Sequence, residues 1–128
     1  MIESIISRHA RLQTARNTTL CVGLDPDPER RPQPLAGQSD RSEAVATFCL
    51  ELIDATASYA TAYKLNLAFF EALGPDGLRV LQRVRAHVPS EIPTIADAKR
   101  GDIGNSARFY AASVFDDLGF DSVTVSPY

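Results

Sequence analysis

Thr94-Ile-Ala-Asp-Ala-Lys-Arg-Gly-Asp-Ile-Gly-Asn-Ser-Ala107 is a short β-rich run that breaks into a glycine-punctuated turn. Its opening, Thr94 to Lys99, is too short and too apolar for an amphipathic helix and reads as a strand. Side chains alternate faces along a strand, so Asp97 and Lys99 share one face while Ala96 and Ala98 take the other. Beyond the turn, Ala107, Tyr110, Ala111, Val114, Phe115 and Leu118 form an i, i+3, i+4 stripe, which predicts a helix stopped by Gly119.

Working outward, three more runs read as strands: Thr18 to Asp25, Ala62 to Asn66 and Ser122 to Ser126. Between the first two lies the stripe Val45, Phe48, Cys49, Leu52, Ile53 and Thr56. It is preceded by Asp40-Arg-Ser-Glu43, which has capping-box spacing with Asp in place of Ser or Thr. Leu78, Leu81, Val84 and Val88 form a third stripe between the turn Gly74-Pro-Asp-Gly77 and Pro89. The order is an N-terminal helix and then β-α-β-α-β-α-β, so neighbouring strands should be parallel with right-handed crossovers. Such spacing suits a doubly wound sheet or a β/α barrel. The run Pro26 to Ser39, with Pro26, Pro28, Pro32 and Pro34, is long for a βα connection and is expected to be a functional loop inside one domain.

The 128 residues are 45% apolar and 23% charged, an ordinary globular composition. Thirteen Lys and Arg against 16 Asp and Glu give a net charge of -3, which provides no overall attraction to nucleic acid or anionic lipid. The N-terminus lacks the pattern of a secretory signal, and no apolar run nears the roughly 20 residues that span a bilayer, so a cytoplasmic protein is expected. Cys21 and Cys49 fit no metal-ligand spacing and are expected to be buried free thiols without a catalytic role.

In a parallel β/α fold, ligands bind at the carboxyl ends of the strands. Strand one ends in Asp25, strand two carries Lys64, and strand three carries Asp97 and Lys99. A solvated salt-bridge cluster is the commoner fate of neighbouring acids and lysines. Against it stands the desolvation that charges suffer inside such a fold, which a structural role rarely explains.

The longer motif shifts that balance. Ile95-Ala-Asp-Ala-Lys-Arg-Gly-Asp-Ile-Gly-Asn105 resembles the Asp-x-Lys-x-x-Asp signature of the orotidine 5′-phosphate decarboxylase family, in the form found in its bacterial subgroup. Cys21-Val-Gly-Leu-Asp-Pro-Asp-Pro28, Lys64-Leu-Asn-Leu-Ala-Phe-Phe-Glu71 and Val123-Thr-Val-Ser-Pro-Tyr128 match in the same order on the other strands. The resemblance implies an α/β fold, the N-terminal half of a (β/α)8 TIM barrel, with residues 1–128 a single partial domain and strands five to eight absent. It implies conversion of orotidine 5′-phosphate to uridine 5′-phosphate and CO2 in pyrimidine synthesis, with no cofactor and no metal. Lys99, Asp97, Asp102 and Lys64 would be catalytic. Asp25 and Lys64 would hold the ribose hydroxyls, with Asn66 and Ile103 also on the substrate. Asp97 would lie beside the substrate carboxylate, and Lys99, kept protonated by flanking Asp97 and Asp102, would deliver a proton to C6. Asp102 and Ile103 would reach across the interface of a homodimer. Leu65 and Ser126 depart from the family pattern, which has proline and asparagine there.

A barrel of this type usually needs about 250 residues, so the chain alone is expected to expose apolar surface and to lack useful activity. Two other readings are a magnesium-dependent sugar-phosphate decarboxylase or aldolase, and a non-catalytic half-barrel module. The related magnesium enzymes resemble one another in placing an acid at the end of strand two, where this chain has Lys64 and Asn66. Elsewhere, Gly101 and Gly104 bracket a tight loop, and Asn105 or Ser106 is expected to cap the following helix. His9 and His87 fall on helices away from the strand ends, Phe69, Phe70 and Phe115 read as core, and Arg30 and Arg31 as a solvated loop.

Overall fold

Short apolar segments can satisfy their backbone groups only by pairing, and here they pair in chain order. A computed structural model, which describes residues 3–30, 32 and 37–127, shows β1 (Cys21–Leu24), β2 (Ala62–Asn66), β3 (Thr94–Arg100) and β4 (Ser122–Val125) in one sheet of order β1-β2-β3-β4. Every neighbouring pair is parallel, with Gly23 opposite Lys64 and Asn66 opposite Asp97. Helix α1 (Ile5–Arg16) precedes the sheet, α2 (Arg41–Thr56) links β1 to β2, and the short α3 (Leu67–Glu71) and then α4 (Gly77–His87) link β2 to β3. Helix α5 (Gly104–Ala111) continues into a π-helical turn, Ala112–Asp117, before β4. The expected half-barrel architecture is therefore present. Arg31, Pro34 and Tyr128 lie outside the described residues.

The helices cover one face of the sheet. Leu24, Tyr63, Leu65, Ala96 and Ala98 pack there against Val45, Cys49 and Ile53 of α2, Phe70 of α3, and Leu81 and Val84 of α4. Each large apolar side chain buried in this layer contributes roughly 1.5–3 kcal/mol. The opposite face carries small and polar groups, including Gly23, Lys64, Asp97 and Thr124. The apolar surface that is exposed lies elsewhere, largely on and beside α5: Ile103, Phe109, Tyr110, Phe115 and Val125.

Local signals explain most element ends. Asp40 caps α2, its Oδ1 accepting the Ser42 and Glu43 N–H groups at 2.9 and 3.1 Å. Glu43 does not close a reciprocal box; its carboxylate accepts from Arg83 of α4 at 2.7 Å. At the amino ends of the strands, Asp121 accepts from the Thr94 N–H and hydroxyl at 2.8 and 2.9 Å and pairs with Arg8 of α1.

Several expectations are corrected. Cys49 is buried, which pushes its thiol up to about 12, but Cys21 is exposed, because alternation along β1 turns it to the face the helices leave uncovered. In α4, Val80 is buried and Leu78 is 55% exposed, so the contact stripe lies further round the helix. Phe115 is exposed although it fits the 3.6-residue stripe: with Ala107, Tyr110, Ala111 and Val114 it lines an open groove against Val123 and Val125 of β4, and Val114 and Leu118 alone of that stripe are buried. Neither Asn105 nor Ser106 caps α5: the N-cap position is Ile103, without a side-chain cap, and Asn105 Oδ1 accepts from Arg108 at 2.9 Å.

Gly77 has an ordinary helical φ of -58°, yet a Cβ there would fall 1.9 Å from the Phe70 carbonyl oxygen. Close approach of α4 to α3, rather than backbone handedness, therefore requires glycine. Gly77→Ala should lower stability by about 1–3 kcal/mol through forced separation of these helices. Urea denaturation checks this, and an unchanged midpoint would refute the contact.

Candidate active site at the carboxyl ends of the strands

Asp25 follows the last residue of β1, Lys64 is central in β2, and Asp97 and Lys99 lie towards the end of β3. Parallel pairing brings all four to the open face. Lys64 Nζ donates to Asp25 Oδ1 at 3.4 Å and to Asp97 Oδ2 at 3.2 Å, and Lys99 Nζ donates to Asp97 Oδ1 at 2.6 Å. The result is a continuous line Asp25, Lys64, Asp97, Lys99 that alternates in sign. Asp97 is its least accessible member at 12%, Lys64 is 31% exposed, and Lys99, at 67%, faces the open space.

These contacts set the protonation of the central groups. The hydrogen bond from Lys99 holds the Asp97 carboxyl down, burial opposes this, and hydrogen bonds from Thr124 and Lys64 add to the depression, leaving it at about 2. For Lys64, burial acts to lower the pKa. The hydrogen bond to Asp97 and the field of Asp25 outweigh it, so the ammonium is held above its ordinary value.

The backbone departs from a regular strand at this point. Register shifts between Ala96 and Arg100 on β3, and Lys99 adopts φ 49°, a left-handed conformation seldom used by a residue with a side chain. Thr124 of β4 fills the irregularity: its Oγ1 accepts the N–H groups of Ala98 and Lys99 at 3.1 and 3.0 Å and donates to Asp97 Oδ1 at 2.9 Å. Sequence reasoning assigned Thr124 no role. The available signal was a hydroxyl between Val123 and Val125, on the face of the strand opposite to them. Arg100 turns aside, pairing with Glu71 and lying over the Tyr110 ring at 5.7 Å from its centre.

Asn66 stands opposite Asp97 in the sheet, and its Oδ1 accepts the Ala68 N–H at 3.2 Å, capping α3. Asp102 lies in the exposed loop after β3, where its Oδ1 accepts the Ile103 N–H at 2.8 Å; among the described residues it joins none of the ion pairs of the array. Ile103 is 86% exposed. The histidines are engaged away from the array, His9 with Thr61 at 3.3 Å and His87 with Asp54 at 2.6 Å. Arg30 is exposed and pairs with Asp27 at 3.5 Å. Among the described residues no three His, Cys, Asp or Glu are grouped so as to hold a metal ion, and no helix is long and apolar enough to cross a membrane.

The depressed Asp97 carboxyl has a definite linkage to stability. Its folded value of about 2 lies below the ordinary 3.8, so its contribution is complete above the ordinary value and is lost as pH falls through the folded one. Acid unfolding followed by circular dichroism should show this loss between about pH 4 and about pH 2, and Asp97→Asn should flatten that part of the curve. An unchanged slope in the variant would remove Asp97 from the linkage.

Residues 18–128 match the family described as "Orotidine 5'-phosphate decarboxylase / HUMPS family". The chain is 49% identical over 116 residues to an orotidine 5′-phosphate decarboxylase of Christiangramia forsetii, covering 88% of this chain and 42% of that protein. It is 52% identical over 112 residues to one of Leptospira interrogans, covering 85% and 40%. Among solved structures, it resembles the OMP decarboxylase of Leishmania donovani with a TM-score of 0.83 and 40% identity, covering 98% of this chain and 45% of that one. The UMP synthase of the same organism gives 0.84 and 39%, covering 99% and 26%. The chain thus spans less than half the length of these relatives, and it belongs to the orotidine 5′-phosphate decarboxylase / HUMPS family.

Proposed function

We propose that the protein built on this chain decarboxylates orotidine 5′-phosphate to uridine 5′-phosphate and CO2, as a cytoplasmic enzyme without a metal or organic cofactor. The observation that carries this reading is the alternating line Asp25, Lys64, Asp97, Lys99 at the strand ends. When the C6–carboxylate bond breaks, CO2 leaves and the electron pair stays on C6, so the transition state gains charge on a ring carbon. Fixed positive charge already in place stabilises that charge without reorganisation. The exposed Lys99 ammonium supplies it and then passes its proton to C6, to be reprotonated from solvent. Lys64, fastened between two carboxylates, orients Asp25 for the ribose hydroxyls and contacts them itself. Asp97 sits beside the reacting carboxylate, and Asn66 offers its remaining amide N–H groups to substrate.

Lys64 also argues against the magnesium-dependent alternative. A divalent ion bridging Asp25 and Asp97 would have to occupy the place its ammonium already fills, against like charge.

Asp102 and Ile103 are assigned to the active site of a second copy in a homodimer. Supporting this is their position in an exposed loop beside the apolar residues Phe109, Tyr110 and Val125, where a partner would cover them. Because the relatives have more than half their length outside the matched part, turnover is assigned to a protein in which that remainder completes the barrel, and not to residues 1–128 alone.

The test is release of CO2 from orotidine 5′-phosphate, with chelator present, by a chain extended with the remaining strands of a relative. Activity that survives chelation is expected, and activity that requires added magnesium would overturn the reading. In the same protein Lys99→Ala should lower kcat by about 10²- to 10⁴-fold while uridine 5′-phosphate binding changes little. Near-normal kcat would exclude Lys99 as the proton donor.

A further inference from the structure

We propose that Thr124 is a positioning residue of the charge array, its hydroxyl locking the Asp97 carboxylate and the left-handed Lys99 backbone into one unit. A threonine hydroxyl has one proton to donate and two lone pairs to accept with. Here both acceptor positions are taken, by the Ala98 and Lys99 N–H groups at 3.1 and 3.0 Å. The proton consequently has one direction left, and Asp97 Oδ1 lies there at 2.9 Å. Capacity and geometry match with nothing to spare.

The same oxygen of Asp97 accepts from Lys99 Nζ at 2.6 Å, while Lys64 Nζ holds the other oxygen at 3.2 Å. The groups facing Asp97 are therefore Lys64 from β2, with Asp25 behind it, Lys99 from β3, and Thr124 from β4. Thr124 alone among them grips both the backbone that aims Lys99 and the carboxylate that Lys99 binds. A hydroxyl serving only the fold would need neither the proton direction nor the particular acceptor. The hydrogen-bond geometry stands apart from the decarboxylase reading; its consequence for turnover rests on that reading.

The experiment has two arms. In the 128-residue chain, carbon-13 titration of the Asp97 carboxyl should show Thr124→Val raising the midpoint by about one pH unit, with Thr124→Ser staying at the unsubstituted value. An unchanged midpoint in Thr124→Val overturns the proposal. Should Thr124→Val fail to fold, amide exchange in the unsubstituted chain and in Thr124→Ser decides: slow exchange at both Ala98 and Lys99 in both chains supports it, and fast exchange at either residue refutes it. In the extended protein, Thr124→Val should lower kcat on the order of tenfold to a hundredfold with KM little changed, and Thr124→Ser should restore it. A loss confined to KM, or no rescue by serine, overturns the positioning role. If the unsubstituted extended protein releases no CO2, the decarboxylase reading fails while the titration result stands on its own.

Discussion

A carboxylate pressed between two ammonium groups and a hydroxyl, all from different strands or strand positions, is the constraint on which this site depends. Asp97 is the least accessible group of the line, and a lone charge in that position would lose part of its hydration without compensation. Lys64 and Lys99 make it tenable, and Asp97 in turn makes tenable the partly buried Lys64. Removing either inner member leaves an end of the line uncompensated, Asp25 without Lys64 or Lys99 without Asp97, so the groups form a unit. That unit exists only because the sheet pairs in parallel and in this register. A slip of one residue in β2 would send Lys64 into the helical layer and turn Tyr63 and Leu65 out to the open face.

Much of this is readable from residue order because two simple periodicities govern it. The two-residue alternation of a strand is enough to put Asp97 and Lys99 together and to send Ala96 and Ala98 inward. Parallel crossovers then bring Lys64 beside them. Features that break a period are harder to see. The distortion at Lys99 depends on a hydroxyl some 25 residues away on another strand, and nothing local to Lys99 announces it. The π turn after α5 has no counterpart in the spacing of apolar residues, and Phe115 is exposed because the groove it shares with Tyr110 and Val125 stands open, which a stripe cannot announce. Cys21 shows the limit differently: its alternation was legible, but which face the helices would leave open was not.

The two ends of the strands carry different duties. At the amino ends, Arg8, Asp121 and Thr94 tie α1 to β3 and to the turn before β4, using hydrogen bonds internal to the fold. At the carboxyl ends, polar groups are gathered that the fold itself does not require. Stability is concentrated where no ligand is expected, which leaves the other end free to hold charges at some thermodynamic disadvantage.

Gly101 has a bearing on how this motif can be transplanted. A Cβ at residue 101 would lie 2.8 Å from the Ser126 carbonyl oxygen, and the Ser126 N–H in turn reaches the Arg100 carbonyl at 2.7 Å. The hexapeptide from Asp97 to Asp102 is thus moulded against a neighbouring backbone and does not hold its shape unaided. Grafted onto another scaffold, it would arrive as a string of charges without its conformation unless the adjoining strand travelled with it.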